Sequence, residues 1–373
     1  MDKSFFNYEN YKNDKIRAVD AKFEAQKIAF APLTFQAIKT MLKTGILKMI
    51  NDSGENGITR TELSQKTNIS EYGIGVLCEM ALGMNVIKLS KDSKAGFPEE
   101  EKFIIGKIGW FLLEDDLTKV NFWFTNDICY EGAFSLQESI LNKKPEGLKV
   151  FGENWTTVYE ALSTLPQEAK KSWFDFDHFY SDIAFPEALP IVFAENPKTI
   201  TDIGGNTAKW SIACCKYNPD VKMTIVDLPG QTKVAEQNAK KCGFQERIGF
   251  STGNVLDDST KLPKAPDAVW MSQFLDCFSL KQITKILKKV YACATKDTNV
   301  YVLEPLWDKQ HFEASSYSLM ATSLYFTCIA NGNSKMYRYQ ELVSAICEAG
   351  FELKTAHHNL GSNAYSLLVF KKK

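Results

Sequence analysis

The chain has 373 residues, 45% of them hydrophobic and 24% charged, with a formal net charge of -1. That composition is ordinary for a soluble globular protein long enough for two domains, and the balanced charge excludes a global field attracting nucleic acid or an anionic membrane. Nine cysteines with no CxxC pair point to a reducing compartment and to neither a disulfide framework nor a zinc site. The start, MDKSFFNYENYKNDK, is polar, and no apolar run approaches the ~20 residues of a membrane span, so a cytoplasmic protein is the expectation.

Over residues 22–51 apolar side chains recur with helical period, from Phe30 and Leu33 to Leu47 and Ile50, interrupted at Pro32 and Gly45. Thr59 or Thr61 can cap a short helix carrying Leu63, residues 66–69 form a turn, and Ser70 with Glu71 opens a second helix that stops near Gly83. Residues 86–89 and 103–105 then read as the strands of a wing. This winged-helix outline invites a DNA-binding reading. The candidate recognition helix carries Glu71 and Glu79 and no Lys or Arg, so it lacks cations for phosphates and donors for base edges. It is built to bury itself, in its own domain or against a second subunit, and nucleic acid is not an expected partner.

Between Gly109 and Phe193 the chain is unusually aromatic, and core packing is the expectation for most of these residues. His178, within FDFDHFY, is one of only four histidines. A lone histidine is more often structural than catalytic, so it is held as a reserve base.

A β-branched run at 199–203 ends in Asp202-Ile203, turns on Gly204-Gly205-Asn206-Thr207, continues as a helix and closes in an apolar run ending at Asp227. Such a βαβ unit puts its glycine turn at the carboxyl edge of a parallel sheet, where backbone can approach a ligand closely. Asp227 sits at the next strand tip, where a carboxylate can accept both hydroxyls of a ribose. A pyrophosphate would need further glycines, and no basic residue stands in the turn before Lys209, so phosphate is a poor guest. The alternation continues with a helix over 234–241, strands over 248–251, 267–271 and 299–303, and a closing pair over 351–355 and 365–370.

Asp202, Gly204, Gly205 and Asp227-Leu228-Pro229 resemble motif I and the acid-Leu-Pro motif of class I S-adenosylmethionine-dependent methyltransferases. Specifically, the chain resembles the small-molecule O-methyltransferases typified by the plant caffeate and animal acetylserotonin enzymes. Asn206 and Ala208 depart from the family's glycine pattern; Asn tolerates left-handed backbone, while Ala208 adds a methyl group where backbone packs closely. The resemblance covers essentially the whole chain. It implies an α/β fold class, a Rossmann-like methyltransferase domain with a seven-stranded, mostly parallel sheet, preceded by a mainly helical winged-helix dimerisation domain. The implied segments are 1–108 for that dimerisation domain, 109–190 for a helical, aromatic-rich linker lining the acceptor pocket, and 191–373 for the cofactor-binding domain, in a homodimer. S-adenosylmethionine is the implied cofactor, and no metal is implied. Gly204 and Gly205 would face its methionyl part, Asp227 its ribose, Asn254 and Val255 its adenine, and Ser272 its carboxylate region, with Asp202, Leu228 and Gln273 also counted as cofactor-binding.

Where the family reads Leu-His-Asp-Trp-Ser, this chain has Leu275-Asp276-Cys277-Phe278-Ser279, so Asp276 stands in the place of the general-base histidine. A phenol near pKa 10 and an Asp near 3.9 differ by roughly 6 units, about 8 kcal/mol of mismatch. Burial of Asp276, a more acidic acceptor, or a reaction dominated by positioning each resolves it. Two readings stand for Asp276: a base or orienting group, or the N-cap of the following helix, for which Ser279 is itself a good candidate. Met336 falls where the family carries an acceptor-facing Glu, and Arg338, with Lys335 close by, tilts this wall toward an anionic acceptor; a solvated arginine at a helix start is the other reading. Phe179, Met320 and Phe326 are candidates for apolar pocket wall, and core packing explains them equally well. The expected function is methyl transfer to a hydroxyl of a small aromatic or polyketide-like acceptor, carboxylated if Arg338 faces it. Transfer to carbon of an activated ring or polyketide, and a non-methylating family member that only binds S-adenosylmethionine, are the alternatives.

Overall fold

A computed structural model describes residues 11–373 except Ala95, Glu153, Asn154 and Ser163; the polar stretch 1–10 lies outside the described residues. The chain divides into two compact units, residues 11–122 and 123–373.

In the first unit the two breakers cut the helical pattern into α1 (Ala18–Ala29), α2 (Ala31–Lys43) and α3 (Ile46–Asp52). Pro32 sits in the first turn of α2, where its missing N–H goes unmissed, and Gly45 supplies a left-handed link at φ 75. Thr59, not Thr61, caps α4 (Arg60–Thr67), in a capping box with Glu62, and Ser70 caps α5 (Glu71–Gly83). Strands β1 (Ile58–Thr59), β2 (Ile87–Leu89) and β3 (Lys102–Ile105) pair antiparallel in the order β1-β3-β2, completing a winged-helix outline. Met41, Leu47, Leu63, Ile74 and Phe103 form its core. On α5, Ile74, Cys78 and Ala81 are buried while Tyr72, Val76 and Met80 stay exposed, an apolar outer face unsuited to phosphates. Helices α6 (Lys107–Glu114) and α7 (Asp116–Phe124) follow.

The second unit opens with α8 (Leu136–Asn142), α9 (Val158–Ala161), α10 (Gln167–Ser181) and α11 (Phe185–Val192). Strand and helix then alternate through β4 (Thr199–Ile203), α12 (Lys209–Tyr217), β5 (Lys222–Asp227), α13 (Pro229–Lys241) and β6 (Ile248–Thr252). The second half runs β7 (Ala268–Ser272), α14 (Leu280–Cys293), β8 (Asn299–Glu304), α15 (Glu313–Tyr325), α16 (Tyr339–Glu348), β9 (Phe351–Leu360) and β10 (Tyr365–Lys372). The seven strands order as β6-β5-β4-β7-β8-β10-β9, parallel except that β10 runs antiparallel to both neighbours. Two expected boundaries move. Helix α13 begins at Pro229 rather than 234, because proline is pre-set for a first helical turn, and the closing strands run on to 360 and 372.

The sheet buries both faces. On α14, Ile283, Ile286, Leu287 and Val290 recur at helical spacing and pack with Val269, Val300, Ile346 and Phe370. Among the described residues no helix is long and apolar enough to cross a membrane, and no group of His, Cys, Asp and Glu could hold a metal ion. All nine cysteines are free thiols. Leu287 is fully buried, so Leu287→Ala is expected to lower stability by about 2–5 kcal/mol, read as an earlier urea unfolding transition.

Candidate functional site

The turn after β4 is built from left-handed backbone: Gly204 at φ 80, Asn206 at φ 44 and Ala208 at φ 69. At Gly204 a side chain is impossible, since a Cβ there would lie 2.2 Å from the Phe274 ring. Asn206 takes the left-handed conformation that its side chain tolerates. Ala208 adopts it as the residue before α12, at a cost of about 1–2 kcal/mol for a non-glycine residue, and its methyl group is fully buried. The turn is therefore kept without the family's third glycine. Asp227 holds it from the tip of β5: one carboxylate oxygen accepts the Asn206 N–H at 2.8 Å and the other the Leu228 N–H at 2.7 Å.

A second turn faces it from the end of β7. Glu304, at the tip of β8, accepts the N–H groups of Phe274 at 3.1 Å and Leu275 at 2.8 Å, which sets the Phe274 ring against Gly204. Between the turns lies a cavity of about 350 Å³, within the range of small-molecule sites. Gly204, Asp227, Leu228, Asn254, Val255 and Gln273 all line it. A smaller adjoining cavity of about 70 Å³ takes in Asp202, Gly205, Ser272 and His178 and shares Asp177, Gly204, Asn206 and Gln273 with the first. All nine residues assigned to the cofactor thus border one connected region at the carboxyl edge of the sheet. Within it the Ser272 hydroxyl and the Gln273 side-chain oxygen are buried with no hydrogen-bond partner among the described residues. Such groups are costly unless a ligand satisfies them. Orphaned polar atoms beside a turn opened by Gly204-Gly205 fit the methionyl end of a nucleoside ligand.

The residues assigned to acid–base chemistry and to the acceptor are more dispersed. Asp276 is 4% exposed in a short 3-10 turn, Leu275–Cys277; it is not the cap of α14, which is Ser279 in a capping box with Gln282. Its carboxylate accepts the Cys277 thiol at 3.5 Å, and Cys277 lines the cavity. His178 lies 3.7 Å from Asp177, on the smaller cavity. Arg338 precedes α16 and pairs with Glu341 at 3.3 Å, stacked over Trp307, and Lys335 pairs with the same Glu341 at 2.9 Å; neither lines the cavity. Phe326 is buried, Met320 is half-buried on α15, and the Phe179 ring packs on Tyr180; none of the three is in the lining.

Sequence reasoning assigned six of the residues that line the main cavity and missed the others, Tyr159, Trp173, Asp177, Cys277 and Asn331 among them. Tyr159 and Trp173 were indistinguishable from the aromatic core around them, and Asn331 from a loop. Asp177 carried a signal, an acid inside the aromatic run FDFDHFY; it accepts the Asn206 side-chain amide at 3.1 Å. The buried Tyr159 hydroxyl lies beside the Cys277 thiol, within its hydrogen-bonding reach.

Carboxyl groups crowd this region, and burial raises five of them. Asp202 is pushed up to about 7, partly offset by the Ser211 hydroxyl it accepts at 2.6 Å. Asp177 also rises to about 7 and Asp227 to about 6. Burial raises Asp276 and Glu304 together, and Asp276 pushes Glu304 up further. His178 is lowered by burial and by Lys209, and so is neutral at pH 7.

A seven-stranded sheet with one antiparallel strand, a turn opened by Gly204-Gly205 after β4 and an acid at the tip of the neighbouring β5 define a class I methyltransferase fold. The chain belongs to the O-methyltransferase domain family, whose model matches residues 134–352, and residues 22–94 match a Dimerisation2-like domain. It is 24% identical over 152 residues to the bacteriochlorophyllide d C-20 methyltransferase of Chlorobaculum tepidum, covering 40% of this chain and 44% of that protein. It is 22% identical over 223 residues to the O-methyltransferase SfmM3 of Streptomyces lavendulae, covering 54% of this chain and 66% of that protein. These matches leave a third or more of each relative's length unspanned. The fold is also that of the S-adenosylmethionine-dependent methyltransferase SibL, at a TM-score of 0.68 and 18% identity over 93% of this chain and 98% of that one.

The unfolded chain loses the Asp202 proton near pH 4 and the folded chain near 7. Between those values the folded state holds the extra proton, so this group's contribution to stability falls as pH rises. Asp202→Asn is expected to flatten the decline of the urea midpoint from pH 4.5 to 7.5 while leaving the fold's circular dichroism unchanged.

Proposed function

We propose that the protein transfers a methyl group from S-adenosylmethionine to a hydroxyl of a small aromatic or polyketide-like acceptor. The observation that carries this reading is the pairing of the Asp227 carboxylate with the left-handed turn at Asn206, beside orphaned polar atoms of Ser272 and Gln273. Asp227 keeps lone pairs for both ribose hydroxyls, Asn254 and Val255 border the adenine, and the Ser272 and Gln273 oxygens meet the methionyl end. When bound, the cofactor supplies a methyl group on cationic sulfur with a neutral thioether as leaving group.

The chain's own contribution is positioning and proton removal. Tyr159, Trp173, Cys277 and Asn331 form the acceptor wall, with the Tyr159 hydroxyl beside Cys277 where it can bond the acceptor oxygen. Asp276, too deep to touch the acceptor, draws its proton through Cys277: the acceptor O–H gives its proton to the sulfur as the thiol proton passes to the Asp276 carboxylate. Burial matters here. A carboxyl raised to about 7 lies about 3 units below a phenol, so the mismatch falls to about 4 kcal/mol. Residues 1–108 serve a cytoplasmic homodimer, residues 109–190 the acceptor wall, and residues 191–373 the cofactor. Transfer to carbon is the second reading, favoured because no histidine is among the described residues lining the main cavity.

The test is incubation of the protein with labelled S-adenosylmethionine and a panel of phenols, followed by identification of the product: an aryl methyl ether supports the reading, and a ring-methylated product supports transfer to carbon. Asp227→Ala is expected to weaken S-adenosylhomocysteine at least about tenfold by calorimetry, roughly 1.4 kcal/mol. Cys277→Ala is expected to lower kcat with little change in KM and to steepen the rise of rate with pH, whereas Cys277→Ser retains a relay and most of the activity.

A further inference from the structure

Among the described residues that line the main cavity, every acidic or basic side chain is an acid. Glu160, Asp177 and Asp227 line it, and Asp276 lies directly behind Cys277 with Glu304 beyond. No Lys, Arg or His is among the described residues that line it. The cations that bracket the region are engaged elsewhere: Lys209 pairs with Asp182, and Lys335 and Arg338 both pair with Glu341. The remaining polar lining is neutral, and much of it donates to backbone or side chains already in place, as Asn331 does to the Cys277 carbonyl at 3.0 Å and the Ser334 hydroxyl at 2.8 Å.

An acceptor entering this cavity leaves water, so a carboxylate on it would be desolvated with no basic side chain to meet it and with carboxyl groups on two sides. An ammonium or a neutral ring meets no such penalty. Asp177 shows the local cost of a carboxylate, since desolvation first, and then the nearby Asp182 and Asp276, hold it toward its neutral form. Resting on the methyl-transfer reading, we propose that the acceptor is a neutral or amine-bearing aromatic hydroxyl compound, and that the cavity discriminates against carboxylated acceptors. This replaces the carboxylated acceptor that the position of Arg338 in the sequence suggested, because Arg338 spends its charge on Glu341 outside the lining.

Asp177 is the group that sets the preference most directly. It lines both cavities, is half-buried, and is aimed by the Asn206 side-chain amide.

The experiment uses the full chain saturated with S-adenosylhomocysteine and three probes of one ring size: 2-naphthol, 3-hydroxy-2-naphthoic acid and 1-(aminomethyl)-2-naphthol. Calorimetry gives the dissociation constants, and turnover with labelled S-adenosylmethionine gives kcat/KM for the same three. The acid is expected to bind at least about tenfold more weakly than the naphthol, and the amine at least as tightly. Asp177→Asn is expected to narrow both gaps. Binding of the acid as tight as that of the naphthol, or binding of none of the three, overturns the charge preference. Binding in the expected order with no product from any probe leaves that preference standing and sinks the methyl-transfer reading, whereas methylation of the acid as efficiently as the naphthol sustains methyl transfer and sinks the preference.

Discussion

The hydrogen bond from the Asn206 amide to the Asp227 carboxylate ties the two parallel strands on which the site is built. It joins the turn after β4 to the tip of β5 at 2.8 Å, and a second bond from the Leu228 amide fixes the carboxylate's orientation. Without it the left-handed residues Asn206 and Ala208 would relax toward ordinary backbone, since each is strained on its own. The facing turn is held in the same way by Glu304, whose oxygen accepts two backbone amides and keeps Phe274 against Gly204. Two carboxylates on strand tips thus shape a space that backbone alone would collapse.

The same arrangement sets the electrostatics. Strand tips on one sheet edge gather Asp202, Asp227 and Glu304, and the neighbouring α10 and 3-10 turn add Asp177 and Asp276; Asp202, Asp276 and Glu304 are buried, and Asp177 and Asp227 half-buried. Burial raises the pKa of each, and a cationic ligand would favour their ionised forms. A donor bearing positive charge on sulfur therefore improves the environment of every one of these groups, and binding and charge balance reinforce one another. With its pKa raised by burial, the Asp276 carboxylate is also a better proton acceptor for a phenol than an exposed aspartate.

Much of the fold was legible because its signals are local. Apolar periodicity with Pro32 and Gly45 as breakers marked three helices, and a β-branched run, a glycine turn and a strand-tip acid marked the central βαβ unit. The cofactor-side residues followed, since their positions depend only on those elements. The acceptor side did not. Whether Arg338 faces a ligand or Glu341 depends on where α16 meets the loop before it, and whether Tyr159 or Phe179 reaches the cavity depends on helix rotation that aromatic composition does not encode. Asp276 was legible as a replaced base but not as a buried one, because its depth comes from packing beneath Cys277 beside Glu304.

The central claim is that the space between the two turns holds the nucleoside of a sulfonium cofactor. A crystal structure of the full chain with S-adenosylhomocysteine tests it most directly. The account predicts ribose hydroxyls on the Asp227 carboxylate, adenine beside Asn254 and Val255, and the methionyl end reaching the Ser272 and Gln273 oxygens. A ligand seated elsewhere, or an Asp227 carboxylate facing away from a bound ribose, would contradict it.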